Sequence, residues 1–185
     1  MFFKILILGM NPIKKAVLRI IHYLRSNTLH GTHSPFVYHF LENIVYKKSL
    51  PTHSKTEGLF YRIANWDFVQ HIYAIGATNA ELELLNSSHK NIATTFTNTE
   101  EKVSMVFFGS KLSAEEIKNN YNSIKNHINT QSVFVFSTTN SSNDILEVWK
   151  YICKDETNII SIDFFFSGIL FFVDSKPKEH FTILY

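Results

Sequence analysis

Residues 68–75 read FVQHIYAI, residues 76–78 read GAT and residues 79–86 read NAELELLN. This stretch decides the fold. The first block is rich in β-branched and aromatic residues and has the length of a strand. A glycine breaks it, and a short block of helix formers follows. The same alternation continues outward. NIATTFT at 91–97 is a candidate second strand, and KVSMVFF at 102–108 reads as a buried one. Ser113 caps a helix reaching to about residue 128, and Glu116 completes an S-x-x-E capping box. QSVFVF at 131–136 is the next strand, and 143–153 is a helix around Trp149. Two further strands, 158–166 and 168–173, are joined by a tight turn at Ser167-Gly168. Strands alternating with helices predict a mainly parallel sheet covered on both faces. The tightly connected closing pair predicts an antiparallel edge. The expected architecture is a Rossmann-like three-layer α/β sandwich with a mostly parallel sheet and an antiparallel C-terminal strand, plus an N-terminal helical arm.

The arm comes first in the chain. PIKKAVLRIIHYLRS at 12–26 is amphipathic: Ile13, Ala16, Val17, Ile20, Ile21 and Leu24 recur at helical spacing. Lys14, Lys15, Arg19 and Arg25 line the other side, and Pro12 suits the first turn. A second helix starts at Ser34-Pro35, with Ser34 expected as its cap and Val37, Phe40, Leu41, Ile44 and Val45 as its apolar stripe. KKSLPTHSKTE at 47–57 reads as a polar linker. The expected division is a basic helical arm over 1–50 and a shortened α/β domain over 58–185.

Composition narrows the function classes. The chain has 185 residues, 45% apolar and 18% charged, enough to close one core and too little charge for disorder. Six glycines, none closer together than Gly58 and Gly76, exclude a GxGxxG fingerprint and a GxxxxGK[ST] phosphate loop. The single cysteine, Cys153, excludes an internal disulfide and any CxxC site. The net charge of +2 conceals a split: residues 1–55 carry +7 and residues 56–185 carry −5. Such an arm suits nucleic acid or an anionic membrane face, or simply packs on the acidic remainder. The opening MFFKILILGM is too short in apolar run for a signal peptide, and no stretch reaches the length of a membrane span. A cytoplasmic protein is expected.

HGTHSPFVYHFL at 30–41 resembles the N-terminal signature of a group of class I S-adenosylmethionine-dependent methyltransferase-like proteins. Trp149, Ile162-Asp163-Phe164, the segment GILFF at 168–172 and Lys178-Glu179-His180-Phe181 resemble that group's last large helix, final strand pair and closing segment. The resemblance implies a cofactor crevice at the end of the first strand, where an acid and then glycines let the backbone approach the cofactor. Gly76 matches the first glycine; Ala74 replaces the acid and Ala80 a further glycine. The acid that would bind the ribose hydroxyls is missing near 94–97, with Asn98 the nearest polar substitute. Phe108-Gly109 stands where Asp-Gly is implied, and Phe136-Ser137-Thr138-Thr139-Asn140 where paired aspartates and a histidine are implied. The connection before Lys102 is too short for the usual third strand and its helix. Hydroxyls and amides do not replace carboxylates on a diol or a metal.

The expected function is therefore a degenerate methyltransferase-like protein, non-catalytic, acting as a binding or partner module, with no catalytic residue and no cofactor expected. Gly76, Ala77, Thr78 and Asn98 would be the residual pocket, and His30, His33, Lys14, Lys15 and Arg19 the contacts to substrate or partner. One alternative is an active enzyme that holds S-adenosylmethionine in an atypical pocket completed by Thr138 and Asn140. A second is an RNA- or membrane-surface-binding protein using the basic arm, whose Lys14, Lys15, Arg19, His22, Tyr23 and Arg25 interleave charge with rings. A protein partner or a homo-oligomer fits the binding-module reading. His30, His33, His39 and Glu42 are metal-ligand types at close spacing, but a capped helix with surface histidines explains them, and no metal is expected. Asp163, inside an apolar strand, reads as an acid satisfied by a backbone or basic partner. Cys153, near Lys150 and Lys154, reads as a small buried hydrophobe.

Overall fold

A computed structural model describes residues 10–28, 31–47, 54–88, 90–94, 104–125, 127, 131–157, 160–173 and 177–185. The helices are α1 (Pro12–Arg25), α2 (Pro35–Phe40), α3 (Lys55–Ala64), α4 (Asn79–Asn86), α5 (Ala114–Ile124) and α6 (Asn143–Lys154). A π-helical turn, Leu41–Val45, continues α2. The strands are β1 (His71–Ile75), β2 (Asn91–Ala93), β3 (Met105–Phe108), β4 (Val133–Phe136), β5 (Ile160–Asp163), β6 (Gly168–Phe171) and β7 (Glu179–Thr182). They form one seven-stranded sheet in the order β2-β1-β3-β4-β6-β5-β7. Every pairing is parallel except those of β6, which runs against both β4 and β5. The α/β sandwich with a mostly parallel sheet and an N-terminal helix is thus present.

The two faces of the sheet follow from strand alternation. Met105, Phe107, Val133, Val135, Ile169 and Phe171 join α2, the π turn, α3 and α4 in one core. Val106, Phe108, Phe134, Phe136 and Leu170 join α5 and α6 in the other. β3, β4 and β6 are buried at every position, as strands covered on both faces must be. Aromatic rings fill much of this space: Phe108 stacks on Phe136 at 4.4 Å and 5°, and Phe40 meets Phe171 edge-on at 5.0 Å.

Four expectations are corrected. The antiparallel strand is not at an edge: β6 sits between β4 and β5, and the edges are β2 and β7. Its GILF sequence is wholly apolar because both sides are covered. The turn before it centres on Phe165-Phe166 rather than Ser167-Gly168, with Phe164 N–H donating to Ser167 O at 2.9 Å. Phe165 takes φ 72, a conformation costly for a bulky residue. The Asp163 carboxylate accepts Phe165 N–H at 2.7 Å, and the Thr139 hydroxyl donates to Phe165 O at 3.1 Å, which holds it there. The polar stretch before residue 58 is not all linker, because α3 begins at Lys55 behind a capping box made by Ser54 and Glu57. Finally, Ser34 stands at the start of α2 but makes no side-chain capping bond.

α1 is inverted relative to an ordinary amphipathic helix. None of its residues is buried, and its aliphatic stripe faces solvent, with Ile13 74% and Leu24 76% exposed. The side that meets the domain is the basic one. Lys15 and Arg19 lie over the Phe166 ring at 5.4 and 5.7 Å, and Lys14 Nζ donates to Asn143 Oδ1 at 2.7 Å.

Gly168 sets how closely β6 approaches α6: a Cβ there would lie 2.4 Å from the Trp149 ring. Gly168→Ala is expected to destabilise the fold by about 1–3 kcal/mol through overpacking. Trimming the ring in Gly168→Ala/Trp149→Leu should cost less than the two single losses added together, measured by urea denaturation.

Candidate functional site

In open parallel sheets, ligands sit outside the carboxyl ends of the strands. Gly76, Ala77 and Thr78 lie there, between β1 and α4. Gly76 adopts φ 58, a left-handed turn suited to glycine. Thr78 caps α4: its Oγ1 accepts Glu81 N–H at 3.2 Å, and the Glu81 carboxylate accepts Thr78 N–H at 2.7 Å. The same carboxylate accepts Ser110 N–H at 3.2 Å, reaching across to the turn after β3.

That second turn packs directly onto the first. Gly109 N–H donates to Ile75 O at 2.8 Å and Lys111 N–H to Gly76 O at 3.0 Å. A Cβ added at Gly109 would meet Ala77 Cα at 2.3 Å, and one added at Gly76 would meet Leu112 Cδ2 at 2.4 Å. Leu112 itself is buried, and so is Ala77. The amides of Gly109 and Lys111 are bonded to backbone carbonyls and those of Thr78 and Ser110 to the Glu81 carboxylate, and the side chain over Gly76 is aliphatic. Ala74 is buried within the core and offers no polar group to the opening.

The remaining residues expected at a site are dispersed. Asn98 and His30 lie outside the described residues. His33 is exposed. Lys14, Lys15 and Arg19 are on α1 with the partners given above. Thr138 is half-buried. Asn140 is buried with its Oδ1 unpartnered, as is Ser137 Oγ. Asn140 does not border Gly76; it lines a different cavity. His39 is exposed, and its Nδ1 lies 3.0 Å from Asn43 Nδ2. Among the described residues no group of three His, Cys, Asp or Glu is placed to hold a metal ion.

Cavities of about 400, 670 and 220 Å3 walled by described residues open elsewhere, and Gly76, Ala77 and Thr78 are not among their lining residues. The first runs beneath α1, with His22, Asn140, Trp149, Cys153, Asp163 and His180 among its lining residues. Here the chain brings together groups that sequence reading treated one at a time. His22 Nε2 lies 3.2 Å from Asp163 O and 3.7 Å from its carboxylate, so one acid both holds the Phe165 turn and faces the arm. Ser161 Oγ is 2.8 Å from His180 Nδ1. Burial, with the Asp163 charge adding to it, pushes the Cys153 thiol up to about 12, so this sulfur is a poor nucleophile. The protein around His180 disfavours its charged form and lowers its pKa, against a smaller opposite pull from Asp163. The signal for this cluster was an acid, Asp163, embedded in an apolar strand, and a histidine, His22, within a cationic helix.

A scan against protein-family models finds no family that matches the chain. A search of curated proteins likewise returns no match.

Two outcomes are expected. Glu81→Ala removes the acceptor shared by the two turns and should cost about 1–2 kcal/mol, with Glu81→Gln losing about half of that, read from urea midpoints. Because the His180 pKa is lowered by folding from the ordinary 6.5, the unfolded chain takes up that proton more readily. Stability is unaffected by this group above 6.5 and declines as pH falls below it. The difference in midpoint between about pH 7.5 and about pH 5 should shrink in His180→Gln.

Proposed function

We propose that this chain is a degenerate member of the S-adenosylmethionine-dependent methyltransferase-like group, no longer catalytic and retained as a binding or partner module. The residues that carry the reading are those where the resemblance implies carboxylates and glycines: Ala74, Ala80, Phe108 and the run from Phe136 to Asn140. The single observation that supports it best is the seating of Leu112 against Gly76, with the turn at 109–112 bonded to the turn at 75–76. A nucleoside seated over Gly76 would have to displace the apolar Leu112 side chain and would find no carboxylate at Ala74 to bind. Each charge-assisted bond forgone weakens affinity by about tenfold or more. The antiparallel pair β5 and β6, and Trp149 packed against Gly168, accord with the scaffold the resemblance implies.

The test is a calorimetric titration with S-adenosylmethionine. No binding tighter than about 1 mM is expected. A micromolar constant would overturn the proposal and return the chain to the active enzymes.

A further inference from the structure

The cavity beneath α1 lies where open α/β sheets take ligands. β4 and β5 both run against β6, so their carboxyl ends share one side of the sheet. Asn140 follows β4, Asp163 ends β5, and both line the cavity. A crevice outside the carboxyl ends of parallel strands is the usual ligand position. The volume of about 400 Å3 falls in the range of small-molecule sites. α1 covers the cavity with Leu18 and Ile21, and Leu146, Trp149 and Phe165 continue the apolar wall. Within that wall Asn140 is 5% exposed, and its Oδ1 has no hydrogen-bond partner among the described residues. A buried acceptor left unpaired carries a free-energy cost that a donor relieves. Neighbouring donors are engaged elsewhere: the Thr139 hydroxyl donates to Phe165 O, and His22 Nε2 lies against Asp163 O. Asp163 meets Phe165 N–H and His22 through Oδ1, which leaves Oδ2 as a second acceptor.

We infer that this cavity binds an uncharged, ring-sized molecule carrying an N–H or O–H donor, with the donor pairing to Asn140 Oδ1. The donor answers the two acceptors, and the ring answers the apolar wall around Trp149. The absence of charge follows from the rest of the lining. Arg25, Lys150 and Lys154 line the cavity from exposed positions. A cation is opposed by these three charges, and an anion would have to be desolvated beside the Asp163 carboxylate. A neutral molecule avoids both costs. The Asn140 amide turns about χ2 within broad wells, so Oδ1 can be presented to the cavity. The site shares no residue with the turns at Gly76 and Gly109, and it is independent of whether the chain binds S-adenosylmethionine.

The test is titration of the isotope-labelled full chain with indole, N-methylindole, tryptamine and indoleacetate, followed by nuclear magnetic resonance. Indole is expected to bind with a dissociation constant of about 0.1–1 mM and to shift the Asn140 side-chain amide and the Trp149 ring N–H. N-methylindole keeps the ring and loses the donor, and should bind about tenfold more weakly. Tryptamine, a cation, and indoleacetate, an anion, should each bind more weakly than indole. Asn140→Leu removes the acceptor at similar volume; it should weaken indole by about tenfold and leave N-methylindole unchanged. Equal affinity for indole and N-methylindole would overturn the inference, as would tighter binding of either ion. So would indole shifts centred on Phe36, Trp66 and Phe68 of the 220 Å3 cavity, or no indole binding at all. The four-compound series is read on the unmodified chain, so it decides the matter even if Asn140→Leu does not fold.

Discussion

Two backbone turns meet at the carboxyl end of the sheet with no room for a side chain between them. Gly109 touches Ala77, Gly76 lies under Leu112, and Glu81 bonds to both turns. The contact needs glycine at both positions, one for its left-handed φ and both for close approach. Beyond β4 at the same end, a cavity opens under α1 and is walled by α6 and β5.

Much of the architecture was legible because each local signal agreed with the global fold. QSVFVF and KVSMVFF are too apolar for anything but strands buried on both faces, and the Ser113 and Glu116 capping box marks the start of α5. What escaped was decided by tertiary contact. α3 hid behind Gly58 and a polar opening, although Ser54 and Glu57 spell the same capping box as α5. The position of β6 inside the sheet depends on which neighbours it pairs with, and a short connection alone does not specify them. The Phe165 turn was read from the glycine nearby, whereas the turn is held by Asp163 and Thr139.

The candidate site divides in the same way. That carboxylates are missing at Ala74 and Phe108 is visible in the letters. That Leu112 occupies the opening is not, because Leu112 lies far from Gly76 in sequence and arrives only when the turn after β3 folds onto the turn after β1. Asn140 shows the converse. It was grouped with Gly76 as part of one pocket, yet the chain carries it to the cavity beneath α1.

Asp163 ties these observations together. Its carboxylate takes the amide of Phe165, fixing a strained turn that presents Phe166 to solvent. That ring then receives Lys15 and Arg19, while His22 faces Asp163 itself and meets the Phe165 ring edge-on at 5.4 Å. Cation–π contacts at exposed sites contribute about 0.5–1 kcal/mol each, far less than burying an aliphatic stripe would. The arm is therefore held by its cationic side through modest contacts, and its aliphatic side stays in water at a standing cost.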